Sequence, residues 1–271
     1  MVRRLITALI LLAVGMPALL FGGVPFFIFM GFFVLLAAYE YTVLFRAVQI
    51  EPSTWITVGG VFLILVARSF YPELAGGLFA ALMLVALGYH TFTYERGREK
   101  AQLDFAATVG GLAYLGWVGA YLLDLRNLPN GGWWVFLVLP SVWMADSGAY
   151  SIGRAYGRHK LAPRLSPRKS WEGYWAGVIT GTVYGGFFAF AYSAWGPLEI
   201  SVWQGATLGL ILSVIAPLGD LGESLFKRPA GIKDSSALIP GHGGAFDRLD
   251  SWLWAAVIGY YYIQWFLIQK I

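Results

Sequence analysis

Cysteine is absent from this 271-residue chain, and only three histidines are present. The chain therefore has no disulfide, no thiolate metal ligand and no cysteine nucleophile, and a zinc site is not expected. Charged residues are scarce as well, at 13% of the chain, against about 25% in soluble domains. A Walker-type phosphate loop, a GxSxG elbow and an HExxH motif are also missing, which argues against P-loop enzymes, serine hydrolases of that type and zincins.

Long apolar runs occupy most of the chain, which is 58% hydrophobic. A membrane-spanning helix needs about 20 mostly apolar residues, and backbone groups in lipid have to be satisfied within helices. We therefore predict an all-α, polytopic helical bundle with about nine transmembrane helices. The predicted spans are 5–21, 24–45, 54–71, 76–93, 105–123, 132–153, 173–195, 201–222 and 249–269.

Lysine and arginine are distributed unevenly between the two sets of loops that these spans define. One side of the membrane has only three cationic residues, Arg68, Arg126 and Lys270. The opposite side has sixteen: Arg3, Arg4, Arg46, Arg96, Arg98, Lys100, Arg154, Arg158, Lys160, Arg164, Arg168, Lys169, Lys227, Arg228, Lys233 and Arg248. Positive residues favour the cytoplasmic face. We predict an integral protein of the cell (inner) membrane, with a cytoplasmic N-terminus, an outside C-terminus and no nucleic-acid partner.

Polar chemistry is concentrated in the second half of the chain. Residues 1–130, with spans one to five, are predicted to form a transmembrane scaffold. Residues 131–271 are predicted to form the catalytic region with its cytoplasmic loops. No internal repeat of the kind found in transporters is visible, and the glycines of span seven predict close helix packing.

The charge-dense segment 224–250, SLFKRPAGIKDSSALIPGHGGAFDRLD, is the strongest functional signal. A lipid-facing helix would not tolerate this density of charge, so we expect a polar site at a membrane surface. Asp146 and Asp220 each lie at the end of an apolar run, and Asp247 and Asp250 lie within the charged segment. Converging carboxylates repel one another unless a cation lies between them, and Mg²⁺ prefers such hard oxygen ligands and shares them with substrate phosphates. One ion or two are compatible with the sequence.

A basic loop, GRAYGRHKLAPRLSPRKSWEG at 153–173, precedes this segment. Its cations either contact anionic lipid headgroups or bind substrate phosphates. The ordered Ser166 to Lys169 stretch favours the second. His242 lies among glycines, which indicates close approach of the backbone to a phosphate or a base, although a structural role is also open. For Glu40 and His90, inside predicted spans, we favour structural roles.

Segment 224–250 resembles the signature of the phosphatidate cytidylyltransferase family, also called CDP-diacylglycerol synthases. The block from Asp146 to Gly173 is similar to a second conserved region of that family, and Ala245 is a departure, since a larger apolar residue is usual there. The signature positions that match are Ser224, Lys227, Arg228, Lys233, Asp234, Ser236, Ile239, Pro240, His242, Gly243, Gly244, Asp247, Arg248 and Asp250.

The resemblance implies transfer of CMP from CTP to phosphatidate, giving CDP-diacylglycerol and pyrophosphate, with Mg²⁺ and in a homodimer. It implies catalytic roles for Lys227, Arg228, Lys233, Asp234, His242 and Arg248; substrate binding by Ser166, Arg168, Lys169, Ser224, Gly243 and Gly244; and metal ligation by Asp220 and Asp247, with Asp250 and Asp146 as further candidates. A CTP-dependent polyprenol or phytol kinase, an ion-coupled transporter and an inactive lipid-binding homologue are the alternatives.

Overall fold

The computed structural model describes residues 2–239, 241 and 243–268. Within these residues the chain forms eleven α-helices and one short β-hairpin. The helices are α1 (Val2–Phe21), α2 (Gly23–Arg46), α3 (Thr54–Phe70), α4 (Pro72–Glu95), α5 (Ala101–Gly111), α6 (Tyr121–Asn127), α7 (Gly131–Tyr156), α8 (Trp171–Trp195), α9 (Val202–Ile215), α10 (Pro217–Lys227) and α11 (Phe246–Ile263). Two π-helical segments, Leu112–Val118 and Gln264–Ile268, continue α5 and α11, and the hairpin joins β1 (Lys160–Ala162) to β2 (Ser166–Ser170).

An all-α membrane protein is confirmed, but the count of nine spans is not. Among the described residues, five helical segments are long and apolar enough to cross a bilayer: Gly23–Arg46, Pro72–Glu95, Ala101–Asn127, Gly131–Tyr156 and Val202–Lys227. Two apolar helices are shorter, Ile6–Phe21 and Thr54–Phe70. Helix α8 is also long, with 25 residues. It is not among these five segments because its many Gly, Tyr and Trp residues lower its mean hydropathy.

The chain divides into two compact units, and the first comprises residues 1–124 and 226–249. Ile56 and Ile64 are eight residues apart and therefore share one face of α3. They form a buried cluster with Ala86 and Leu112. Segment 226–249 thus belongs to the same compact unit as the N-terminal helices, and the division at residue 130, which was argued from chemistry, stays a prediction.

Two polar residues inside the first unit, His90 and Arg68, have partners within it. His90 lies 3% exposed, and its Nε2 is 2.9 Å from the hydroxyl of Thr108. Arg68 forms an ion pair with Asp124, and its guanidinium lies 4.6 Å from the ring centroids of both Trp117 and Tyr121. Cation–π contacts of this kind add to an ion pair that is mostly shielded from solvent. These contacts agree with the structural role favoured for His90.

The second unit comprises residues 125–225 and 250–271, and glycines set the packing of α8 on α9. A Cβ atom on Gly185 would lie 2.3 Å from the carbonyl oxygen of Gly205, and one on Gly209 would lie 2.3 Å from that of Gly181. Both approaches involve backbone atoms, which cannot rotate away. The glycines of α8 therefore serve close helix packing, as the sequence predicted.

Candidate active site

The charged segment forms a loop between α10 and α11, and Asp247 holds this loop together inside the first unit. Its Oδ2 accepts hydrogen bonds from the backbone N–H groups of Ser235 and Gly244, both at 2.8 Å, and lies 3.0 Å from the hydroxyl oxygen of Ser235. Its Oδ1 accepts one from Nζ of Lys227 at 2.6 Å. Asp247 lies in the first turn of α11, where the helix dipole favours a negative charge.

The Lys227–Asp247 pair is buried, because the two side chains are 7% and 4% exposed. Both oxygens of Asp247 already accept hydrogen bonds, so the carboxylate orders the loop in this structure. Lys227 compensates its charge. The metal-ligand role of Asp247 and the phosphate-binding role of Lys227 stay predictions. The contacts in this structure indicate that both residues position the loop.

Glu40, in helix α2, holds the same loop from another side. It is 1% exposed and accepts hydrogen bonds from the hydroxyls of Ser235 and Ser236 at 2.8 and 2.6 Å. It also accepts the backbone N–H groups of Ala245 at 3.1 Å and Phe246 at 2.9 Å. The sequence signalled Glu40 only as an ionisable residue in an apolar run, with no indication of these partners.

The two glycines predicted to bind substrate face protein atoms. Gly243 has a φ of 80°, a left-handed conformation that glycine adopts without strain. A Cβ atom on Gly244 would lie 2.0 Å from the hydroxyl oxygen of Ser235 and 2.3 Å from Oε2 of Glu40. A close approach to the backbone therefore exists at Gly244, and the approaching groups are these two side chains. His242 lies outside the described residues.

The loop also presents charged side chains to its surface. Lys233, Asp234 and Arg248 are exposed, and Arg228 is half-buried with a hydrogen bond from Nη1 to the carbonyl of Ile232 at 3.1 Å. Ser224, at the end of α10, is 4% exposed. Within the described loop, Lys233 and Arg248 are thus the predicted catalytic cations most accessible to a phosphate.

The second unit contains a cluster of three carboxylates, Asp220, Glu223 and Asp250, each with an oxygen within 4.8 Å of the others. Asp220 and Glu223 are three residues apart on α10 and share one face, while Asp250 comes from α11. Asp220 and Asp250 were predicted as metal ligands, whereas Glu223 was missed. Its i+3 spacing from Asp220 is the signal that could have identified it.

Two predicted residues lie beside Asp220. Lys169 donates from Nζ to Oδ2 of Asp220 at 2.5 Å, and the charges of both residues act on the carboxyl of Asp146. Asp146 lies on α7, which is one of the apolar helices long enough to span a bilayer. Three of the four predicted metal-binding aspartates thus belong to this unit, with Asp146 outside the three-carboxylate cluster itself.

The basic hairpin gives Lys169 its position. Strands β1 and β2 pair antiparallel, with Lys160 opposite Ser170. The hydroxyl of Ser170 accepts the N–H of Gly173 at 3.2 Å and caps α8. Ser166 is half-buried, whereas Arg168 is exposed, as are Lys160 and Arg164 in the same hairpin.

Glu172, in the first turn of α8, ties the start of the hairpin to that helix. It accepts hydrogen bonds from the backbone N–H of His159 and lies 2.6 Å from its Nδ1. Hydrogen bonds from its own backbone N–H and from His159 lower the pKa of the half-buried Glu172 carboxyl to about 2. The carboxylate therefore remains ionised across the neutral pH range.

Known proteins match this chain over nearly its whole length. The Cytidylyltransferase family model matches residues 2–266. The chain is 37% identical to a phosphatidate cytidylyltransferase of Pseudomonas aeruginosa, over 97% of this chain and 96% of that protein. It is 32% identical to one of Synechocystis, over 96% of both chains, and 30% identical to one of Staphylococcus aureus, over 92% of this chain and 94% of that protein. This chain therefore belongs to the cytidylyltransferase family.

Proposed function

We propose that the protein is an integral membrane phosphatidate cytidylyltransferase, which transfers CMP from CTP to phosphatidate and releases pyrophosphate. The observation that carries the proposal is the match, over more than nine-tenths of the chain, to several proteins of that name. The carboxylate cluster and both basic segments fall within the matched residues. The substrates CTP and phosphatidate follow from this assignment.

The reaction exchanges one bond at the α-phosphorus of CTP. A phosphate oxygen of phosphatidate forms the new bond to this phosphorus, and the bond from the phosphorus to the oxygen shared with the β-phosphate breaks. Phosphatidate supplies its own anionic nucleophile, so no protein base is required. Transfers of this kind depend chiefly on positioning and on charge stabilisation of phosphate oxygens.

Asp220, Glu223 and Asp250 are the residues we assign to the metal. The oxygens of these three carboxylates lie within 4.8 Å of one another, and Lys169 pairs with Asp220. Carboxylate oxygens arranged in this way suit Mg²⁺. When bound, Mg²⁺ would neutralise charge on the triphosphate. Asp146 and Asp247 stay further candidates for metal ligands.

Exposed cations provide the phosphate contacts in this proposal. Three of these are Lys233 on the loop, Arg248 in the first turn of α11 and Arg168 on the hairpin. They can bind phosphate oxygens by charge-assisted hydrogen bonds. Lys169 forms an ion pair with Asp220 and thereby reduces the net negative charge of the carboxylate cluster. We also propose that the protein is a homodimer, as the family resemblance implies.

A label-transfer assay tests the proposed reaction. Purified protein in detergent is given phosphatidate, Mg²⁺ and CTP labelled at either the α- or the γ-phosphorus. We expect label from the α position, and none from the γ position, in the lipid product. Glu73→Gln, which changes an exposed carboxylate at the start of α4, is the matched control and should keep full activity.

Other results of that assay would overturn the proposal. Transfer of γ label to a polyprenol would indicate a lipid kinase. No transfer from either position to either acceptor would favour transport or an inactive lipid-binding protein.

The proposed orientation puts both basic segments in the cytoplasm, next to the pool of CTP. The chain contains no cysteine, so single cysteines report on sidedness without background. Arg164→Cys, in the hairpin, should react with a membrane-impermeant maleimide only in inverted vesicles. Asn127→Cys, at the end of α6, should react from outside intact cells, because it follows span five, which is predicted to end at residue 123. The reverse pattern would contradict the orientation.

A further inference from the structure

Helix α2 supplies a buried carboxylate that the family signature does not contain. Glu40 is 1% exposed, and its partners are 195 to 206 residues away in the chain. Burial of an ionisable group at this depth is costly unless its hydrogen bonds are satisfied. Here the donors all come from the loop between α10 and α11, so the cost of burying Glu40 is offset only while that loop keeps its conformation.

The hydrogen bonds of Glu40 join the two ends of the loop. Oε1 accepts from the hydroxyl of Ser236 and the N–H of Ala245, and Oε2 accepts from the hydroxyl of Ser235 and the N–H of Phe246. Each oxygen thus binds one donor from residues 235–236 and one from residues 245–246. The carboxylate closes the loop at its base.

A second carboxylate is connected to the first through one hydroxyl. The Ser235 hydroxyl oxygen lies 2.8 Å from Glu40 and 3.0 Å from Asp247, and Asp247 in turn binds Lys227. Asp234 directly precedes Ser235 in the chain, and Lys233 precedes Asp234. Arg248 directly follows Asp247. The exposed charged groups of the loop are therefore attached to backbone that these two carboxylates hold.

We propose that Glu40 is a positioning residue for the proposed cytidylyl transfer: it fixes the loop so that Lys233 and Arg248 meet substrate phosphates in a preset geometry. This inference rests on the proposed function for its catalytic consequence, but not for the loop contact itself. Rigid placement of phosphate-binding cations is the main protein contribution to such a reaction.

Glutamine cannot replace Glu40 in this arrangement. Its amide would put an NH₂ group where one carboxylate oxygen now accepts a backbone N–H, from either Ala245 or Phe246. A serine hydroxyl can turn to accept, but a backbone N–H cannot, so one donor would face another. Glu40→Gln therefore opens one side of the loop base with almost no change in side-chain volume.

The test compares Glu40→Gln with Tyr41→Phe in the purified full-length protein. Tyr41 is the neighbouring buried residue of α2, and its hydroxyl donates to the carbonyl of Ala107, away from the loop. In Glu40→Gln we expect amide hydrogen exchange in residues 234–246 to rise at least tenfold, with exchange in α3 and α4 unchanged. We expect kcat to fall on the order of tenfold to a hundredfold, with a smaller change in KM for CTP. Tyr41→Phe should show neither effect.

Two results would overturn the inference: exchange and kcat like those of Tyr41→Phe, or exchange that rises equally along the whole chain, which would mean general destabilisation. If Glu40→Gln does not fold, Ser236→Ala takes its place, since it removes only one hydroxyl from a half-buried site. It should still speed exchange in 234–246 severalfold and lower kcat, and no change in either would overturn the inference. Hydrogen exchange reports on the loop even if the label-transfer assay fails, so the two proposals can fail separately.

Discussion

Asp220→Asn and Asp250→Asn are each expected to lower cytidylyl transfer by a factor on the order of 10² to 10³. Each substitution removes one negative charge from the three-carboxylate cluster but keeps the shape of the side chain. The cluster would then attract a divalent cation less strongly, and less positive charge would be available to the triphosphate. The Mg²⁺ concentration that gives half-maximal activity should rise in both variants.

Binding of Mn²⁺, followed by electron paramagnetic resonance without substrates, measures the same loss independently of activity. We expect weaker Mn²⁺ binding in Asp220→Asn, Asp250→Asn and Glu223→Gln. Glu73→Gln should bind as the unaltered protein does. Unchanged Mn²⁺ binding in all three cluster variants would contradict the assignment.

Asp247→Asn separates the two carboxylate sites in that measurement. The hydrogen bonds of Asp247 to Lys227, Ser235 and Gly244 indicate that this substitution disturbs the loop first. Loss of Mn²⁺ binding in Asp247→Asn, with retention in Asp220→Asn, would instead make Asp247 the principal ligand. The sequence alone predicted both aspartates as ligands.

The membrane class and the aspartates of the carboxylate cluster could be predicted because each depends on local sequence. Apolar runs identify helices that suit a bilayer, Asp250 is the last position of the spaced signature, and Asp220 lies four residues before its first position. The exact number of spans could not be predicted, because hydropathy alone does not fix where a helix ends: α3, predicted as a span, is a helix of only 17 residues.

Contacts between distant segments account for the rest. Glu40 and Ser236 are 196 residues apart, and no sequence pattern connects them. In the sequence, Glu223 is an ordinary residue near the end of a helix. Only the structure shows that Asp250 lies close to it. The pattern at Gly244 correctly indicates a close approach, but whether the approaching group is a phosphate or a carboxylate depends on how α2 packs against the loop.

Lys227→Met is expected to destabilise the folded protein by about 3–5 kcal/mol, the usual effect of removing one partner from a buried ion pair. The substitution leaves Asp247, whose side chain is only 4% exposed, without its cation. Met approximates the length and the apolar part of lysine, so the lost charge dominates. Lys169→Met is the matched control: its ion pair with Asp220 is 26% and 33% exposed, and exposed pairs contribute about 1 kcal/mol or less.

Equilibrium unfolding in detergent, for Lys227→Met, Asp247→Asn and the double variant, tests this expectation. The double variant buries no uncompensated charge, so its loss of stability should be smaller than the sum of the two single losses. A coupling of up to about 3 kcal/mol is typical of residues in direct contact. Additive losses, or a loss in Lys227→Met no larger than in Lys169→Met, would contradict the buried pair.

The same cycle decides how a loss of activity in Lys227→Met is interpreted. If Lys227 acts by holding Asp247 and the loop, activity should fall together with stability and return in part in the double variant. If Lys227 also binds a substrate phosphate, and Asp247→Asn alone retains Mn²⁺ binding and activity, the double variant should regain stability but not activity. Recovery of stability without activity would therefore support the direct catalytic role that the sequence predicted for this lysine. Recovery of both together would support the positioning role that its contact with Asp247 indicates.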